Sequence, residues 1–233
     1  MLMGSRITIG VSKLSPDYAA WLNKLHDGLE IIDFYTLPLE EVIKQMSLVS
    51  GVLLTGGSDI HPGLYGRHED FPYCKSIDIK RDELETIIIE LAYQFNIPLL
   101  GICRGQQILN VVRKGSLYAD IPAFINTTIV HASKEDVYHP VSIMENSLLF
   151  RLTGLSGGTV NSAHHQAVNI VASGFLVSAI SPDGLIEAME TDASAGQPFC
   201  LAVQWHPERM DMDNPLSGLL GKGFIEAMIN GGT

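Results

Sequence analysis

Apolar positions along the first half of the chain fall into two alternating patterns. Short, mainly apolar runs at 6–11, 30–35, 51–54 and 98–102 read as strands. Between and after them, residues 18–26, 39–48 and 77–95 carry apolar side chains at helical spacing, and 106–112 is a further helix-forming run. A loop rich in Gly, Pro and His occupies 58–76. Strands that are apolar on both faces and joined by helices predict a parallel sheet covered on both sides, which is an α/β sandwich. The second half is richer in strands, expected at 137–144, 158–161, 176–180, 185–190 and 199–204, before a closing helix over 215–229. No repeat, low-complexity tract or long linker interrupts the pattern. Residues 1–233 therefore read as one domain with an antiparallel flank.

Composition narrows the function classes. With 46% hydrophobic and 18% charged residues, 233 residues suffice for one large buried core. Fifteen Lys and Arg against 26 Asp and Glu give a net charge of −11, a poor match for nucleic acid or an anionic membrane. Cys74, Cys103 and Cys200 are odd in number and far apart, so neither a disulfide framework nor a metal site is expected from them. Arg6 interrupts the only apolar stretch of the first ten residues, which leaves no signal-peptide core, and no apolar run is long enough to span a bilayer. A reducing cytoplasm is the expected compartment.

Four segments carry candidate chemistry. Residues 99–107 place Gly-x-Cys-x-Gly, centred on Cys103, between an apolar strand and a helix. A sharp strand-to-helix turn needs small flanking residues, and a helix N-terminus favours the thiolate. Residues 202–208 end an apolar strand with His206-Pro207-Glu208. Positions i and i+2 on a strand face the same side, so His206 and Glu208 form a candidate general-base pair. Gly56 and Gly57 follow the third strand, where a backbone N–H can meet a developing oxyanion. Adjacent His164 and His165 invite a metal, but no i,i+4 His or Cys stands nearby. Substrate contact or a structural polar turn is the reading there, and no metal is expected.

In their order along the chain these segments resemble the class I glutamine amidotransferase-like superfamily, in its free-standing peptidase C26 branch of γ-glutamyl-γ-aminobutyrate hydrolase-like proteins. The resemblance runs from about Gly51 to the C-terminal helix, and His139-Pro140-Val141 and residues 181–188 match subsidiary signatures. It implies a flavodoxin-like three-layer sandwich and a γ-glutamyl substrate cleaved without a cofactor. Cys103 would be the nucleophile, His206 the acid and base, and Glu208 its orienting carboxylate. The N–H groups of Gly57 and Arg104 would form the oxyanion hole, and Gly56, Asp59, Gln107, His164 and His165 would contact substrate. The family's Gly-Gly pairs are replaced by Lys114-Gly115 and Asp27-Gly28. Two other readings stand beside the hydrolase: a glutaminase subunit feeding ammonia to a separate synthetase, and a catalytically silent binding protein. Oligomeric state stays open, a homodimer included.

Overall fold

The computed structural model describes residues 7–191 and 198–231, so Arg6 of the first expected strand lies outside the described residues. Among them are eleven strands: β1 Thr8–Val11, β2 Glu30–Asp33, β3 Gly51–Leu54, β4 Leu99–Ile102, β5 Ser116–Tyr118, β6 Val137–Ile143, β7 Gly157–Ser162, β8 Ala167–Ile170, β9 Phe175–Ile180, β10 Ile186–Thr191 and β11 Cys200–Val203. The helices are α1 Pro16–Leu25, α2 Leu39–Met46, α3 Ile79–Gln94, α4 Arg104–Val112, α5 Ile121–Phe124, α6 Leu148–Thr153 and α7 Gly218–Ile229. The sheet runs β2-β1-β3-β4-β11-β10-β9-β6-β7, with β8 pairing β10 and β5 pairing β8 off that path. From β2 to β11 all pairings are parallel, and from β10 outward they are antiparallel.

Alternation along the central strands explains the layering. Leu53, Leu100, Ile102, Leu201 and Val203 point into one core with α1 and α7, whose Trp21, Leu22, Leu220 and Phe224 meet them. Val52, Leu54, Leu99, Cys200 and Ala202 point into the other, against Val42 and Met46 of α2, Ile88 of α3 and Ile108 of α4. Both faces are therefore covered, as the uniformly apolar strands predict.

The structure departs from the sequence reading in four places. Residues 30–35 do not form one strand. Asp33 ends β2 and accepts from the Tyr35 N–H, starting a 3-10 turn over Phe34–Thr36. The expected loop at 58–76 contains two 3-10 turns, Pro62–Tyr65 and His68–Tyr73. Four short elements, β5, α5, α6 and β8, come without a sequence signal long enough to show a period. Finally, the last strand does not join the antiparallel flank alone. β11 inserts between β4 and β10 and runs parallel to β4, with Ile102 beside Val203. Among the described residues no helix is long and apolar enough to cross a membrane.

Candidate active site

The insertion of β11 beside β4 builds the site. Both strands end at the same level, so Cys103 leaves β4 next to the segment that leads from Val203 to His206. Cys103 sits at φ +53° and ψ −107°, a strained conformation for a residue with a β-carbon, and forms the N-cap of α4. Its N–H donates to Val203 O at 2.8 Å, and its own carbonyl accepts from Gln106 N at 3.0 Å. The flanking glycines are required by contact. A β-carbon on Gly105 would lie 2.1 Å from Leu54 O, and one on Gly101 would lie 2.9 Å from the Gly105 carbonyl. This is a nucleophile elbow in geometry.

His206 and Glu208 do meet, for a reason other than strand alternation. β11 ends at Val203, and Pro207–Arg209 is a 3-10 turn that His206 caps. The turn is fastened by Ser217 Oγ donating to Pro207 O at 2.7 Å and by Trp205 Nε1 donating to Leu216 O at 3.0 Å. His206 Nδ1 lies 2.7 Å from Glu208 Oε1, which leaves Nε2 for the Cys103 sulfur. Burial alone would lower His206. The Cys103 sulfur, by charge and by a hydrogen bond, and then Glu208 outweigh it and hold the imidazolium up at about 10.

The Gly56-Gly57 loop closes on this pair. A β-carbon on Gly56 would stand 2.8 Å from His206 Cε1 and 3.5 Å from Cys103 Cβ. Gly57 at φ +152° leaves room for Arg81 Nη1, 2.2 Å from where its β-carbon would be. Arg81 donates to the carbonyls of Gly56 and Thr55 at 2.8 and 2.7 Å, holding the loop from below. Glu85 pairs with Arg81 at 2.8 Å and also with Arg104, whose guanidinium further reaches Asp82. A cleft of about 800 Å³ opens over the loop, lined among others by Lys13, Tyr18, Gly56, Gly57, His206 and Arg209. Cys103 does not form its wall, being 6% exposed behind Gly56 and His206.

The other expected contacts lie elsewhere. Of the five, only Gly56 lines this cleft. Asp59 and His165 bind each other, with His165 Nε2 3.0 Å from Asp59 Oδ1 and Nδ1 2.9 Å from Asp120 Oδ1. Burial pulls His165 down, but the two carboxylates win and raise it. Gln107 is buried and donates to Gln166 O and Gln204 Oε1 at 3.0 and 3.1 Å. His164 is buried beside His131, His139 and Glu187, none of them within four residues of it along the chain.

Three residues to which the sequence assigns no role at the site touch it. Tyr18 accepts the Gly56 N–H at 2.8 Å, and burial followed by the nearby Glu208 carboxylate raises its phenol well above the ordinary value. Asn161 clamps the His206 backbone, accepting from its N–H at 2.9 Å and donating to its carbonyl at 3.0 Å. Arg81 is the third. Its only signal was a charged Arg-Asp-x-x-Glu run inside a helix that otherwise buries apolar side chains.

The family model described as Peptidase C26 matches residues 9–208, which include Cys103, His206 and Glu208. The chain belongs to the Peptidase C26 family. Among its relatives, γ-glutamyl-γ-aminobutyrate hydrolase PuuD of Escherichia coli (strain K12) is 36% identical over 210 residues, covering 86% of this chain and 80% of PuuD. Protein NtpR of Enterococcus hirae is 35% identical over 205 residues, covering 86% of this chain and 83% of that protein. Among solved structures, the glutaminase domain of Trypanosoma brucei CTPS with bound acivicin superposes with a TM-score of 0.69 at 16% identity, over 96% of this chain and 94% of that one. A glutamine amidotransferase from Thermotoga maritima gives 0.58 at 16% identity, over 97% of both chains. At such identities these two establish a shared fold. For a Peptidase C26 protein with these relatives, hydrolysis of an amide is the supported activity.

Proposed function

We propose that this Peptidase C26 protein hydrolyses the γ-glutamyl amide bond of a small γ-glutamyl compound through a thioester on Cys103. The observation that carries the reading is the convergence at one point of a strained cysteine at a helix N-terminus, a histidine bonded to it, and a glycine loop whose backbone abuts both. The name of the PuuD relative favours a γ-glutamyl amine as substrate.

In this reading the Cys103 thiolate attacks the side-chain amide carbon, and the carbonyl π electrons move onto oxygen. The N–H groups of Gly57 and Arg104 hold that oxyanion. Arg104 opens α4, so its N–H has no partner within the helix. Collapse breaks the C–N bond, and the leaving amine takes a proton from the His206 imidazolium. His206 then removes a proton from water, which attacks the thioester. The second collapse releases glutamate and restores the thiolate. Glu208 keeps Nδ1 protonated and so presents Nε2 in both half-reactions. The nucleophile works only while unoxidised, which fits a reducing compartment.

The test is to incubate the purified protein with glutamine and with γ-glutamyl derivatives of small amines, and to measure glutamate. Expected is turnover of at least one γ-glutamyl amine well above glutamine, lost in Cys103→Ala. Glutamate released from none of them, and from glutamine only once a synthetase is added, would transfer the protein to the ammonia-supplying reading.

A further inference from the structure

We propose that His131, His139, His164 and Glu187 form a structural site for one zinc(II) ion, apart from the cleft over Gly56 and His206. The four residues come from separated parts of the chain. His131 lies in the stretch before β6, His139 is on β6, His164 lies between β7 and β8, and Glu187 is on β10. One ligand atom from each lies within 4.8 Å of all the others. Glu187 Oε1 is 3.8 Å from His131 Nδ1, 3.5 Å from His139 Nε2 and 3.8 Å from His164 Nε2. Each of the four residues is at least nine-tenths buried.

Hydrogen bonding does not account for this arrangement. Separations of 3.5–3.8 Å are too long for direct N–H···O bonds. They are close to the edge of a tetrahedron, about 3.3–3.6 Å, that bonds of about 2.0–2.2 Å to a central zinc require. All four inward atoms, and Glu187 Oε2 as well, lack a hydrogen-bond partner among the described residues. A buried carboxylate and three buried imidazole nitrogens left this way would be costly without something between them.

The outer nitrogens settle which atoms face inward as lone pairs. His131 Nε2 lies 2.8 Å from Asp183 Oδ2, His139 Nδ1 3.1 Å from Pro140 O, and His164 Nδ1 3.0 Å from Gln166 O. Each partner is an acceptor only, so each outer nitrogen carries the proton and each inner one, in the neutral ring, is free to ligate. Orientation of a ligating histidine through its second nitrogen by a carboxylate or carbonyl is the usual outer arrangement of a metal site.

Charge and donor type select the ion. Zinc at +2 with the carboxylates of Glu187 and Asp183 sums to 2 − 1 − 1 = 0 inside a buried region. Three imidazoles and one carboxylate in a compact four-atom set suit zinc, whereas magnesium and calcium call for more oxygen ligands. With all four positions supplied by buried protein atoms, the site is of the closed, structural kind. Its place in the fold says what it would hold. The His131 carbonyl accepts from His164 N and Ser162 Oγ, and the Glu187 carbonyl accepts from Gln204 N, two residues before His206. An ion there would fasten the stretch before β6 to β10, which pairs with the strand that leads to His206.

The experiment measures zinc in the purified full chain by mass spectrometry after gel filtration. It then strips the metal with a strong chelator and titrates zinc back while following melting temperature. Expected are one zinc per chain, a fall in Tm on stripping and its recovery on zinc addition, with the equivalent lost in His139→Ala and in Glu187→Gln but kept in Cys103→Ala. Should either site variant fail to fold, cobalt(II) added to the stripped wild type must show the visible spectrum of a tetrahedral nitrogen and oxygen site. Absence of bound zinc together with an unchanged Tm on adding it would overturn the proposal, as would zinc that survives both site variants or departs in Cys103→Ala.

Discussion

A φ of +53° with a β-carbon attached costs on the order of 1–3 kcal/mol, and Cys103 is kept there by bonds on both sides of its peptide. In that conformation the sulfur meets His206. Cys200 is the contrast, since burial pushes its thiol up to about 12. Cys74 is also raised, by burial first and then by Asp59. Iodoacetamide near neutral pH should therefore modify Cys103 before the other two, although Cys74 is the more exposed. Peptide mapping in which Cys103 reacts last would remove it as the nucleophile. The same contact fixes a second expectation. The sulfur is the largest influence raising His206, so in Cys103→Ser the imidazolium should titrate below its wild-type value of about 10, as followed by NMR of the ring. The contribution of the raised imidazolium is fully present below the unfolded value of about 6.5. It is lost as pH rises through about 10. A ring that titrates identically in the variant would mean that Cys103 is not its partner.

Helix α4 ends in a Schellman motif, with Lys114 N donating to Val111 O at 2.9 Å and Gly115 N to Asn110 O at 2.8 Å. Such an end needs a left-handed residue, and here Lys114 supplies it at φ +76°. This is the position at which the resemblance described from the sequence leads one to expect glycine. Gly115 cannot be spared in its turn, because its β-carbon would meet Asn110 at 2.3 Å. Relief of a left-handed side-chain residue is worth roughly 1–2 kcal/mol, against roughly 0.5–1 kcal/mol lost to the greater freedom of unfolded glycine. Lys114→Gly should thus stabilise the protein by about 0.5–1 kcal/mol in chemical denaturation, with no change in the elbow at the other end of α4. A destabilised variant would show that the Lys114 side chain does something the backbone argument omits.

At the scale of the whole molecule, Arg81, Asp82, Glu85 and Arg104 form a buried charged cluster linking α3, the Gly56-Gly57 loop and the first turn of α4. All four side chains are at most 4% exposed. Removing one charge from such a cluster leaves another buried without its counterion, which costs about 3–5 kcal/mol. Glu85→Gln should lower unfolding stability by that amount. The exposed pair Lys44–Glu41 should tolerate Glu41→Gln with little change. Equal effects from the two substitutions would mean that the buried cluster is not the support of the loop.

What the sequence by itself determined is what local physics dictates. Uniformly apolar β3 and β4 with helical segments between them imply a covered parallel sheet, and Gly101-x-Cys103-x-Gly105 implies a tight turn into a helix. Both depend on neighbours within a few residues. Three-residue β5, four-residue α5 and β8, and six-residue α6 were illegible because runs that short show no period and, unlike β3 and β4, are interrupted by polar residues or proline. The tertiary structure alone decided the rest. It placed β11 beside β4 about a hundred residues after it in the chain, which brings His206 to Cys103. It turned Arg81 under the glycine loop, set Tyr18 and Asn161 against the site, and gathered His131, His139, His164 and Glu187 around one point. Contacts between residues far apart in sequence are selected by how whole layers pack, and no spacing along the chain encodes them.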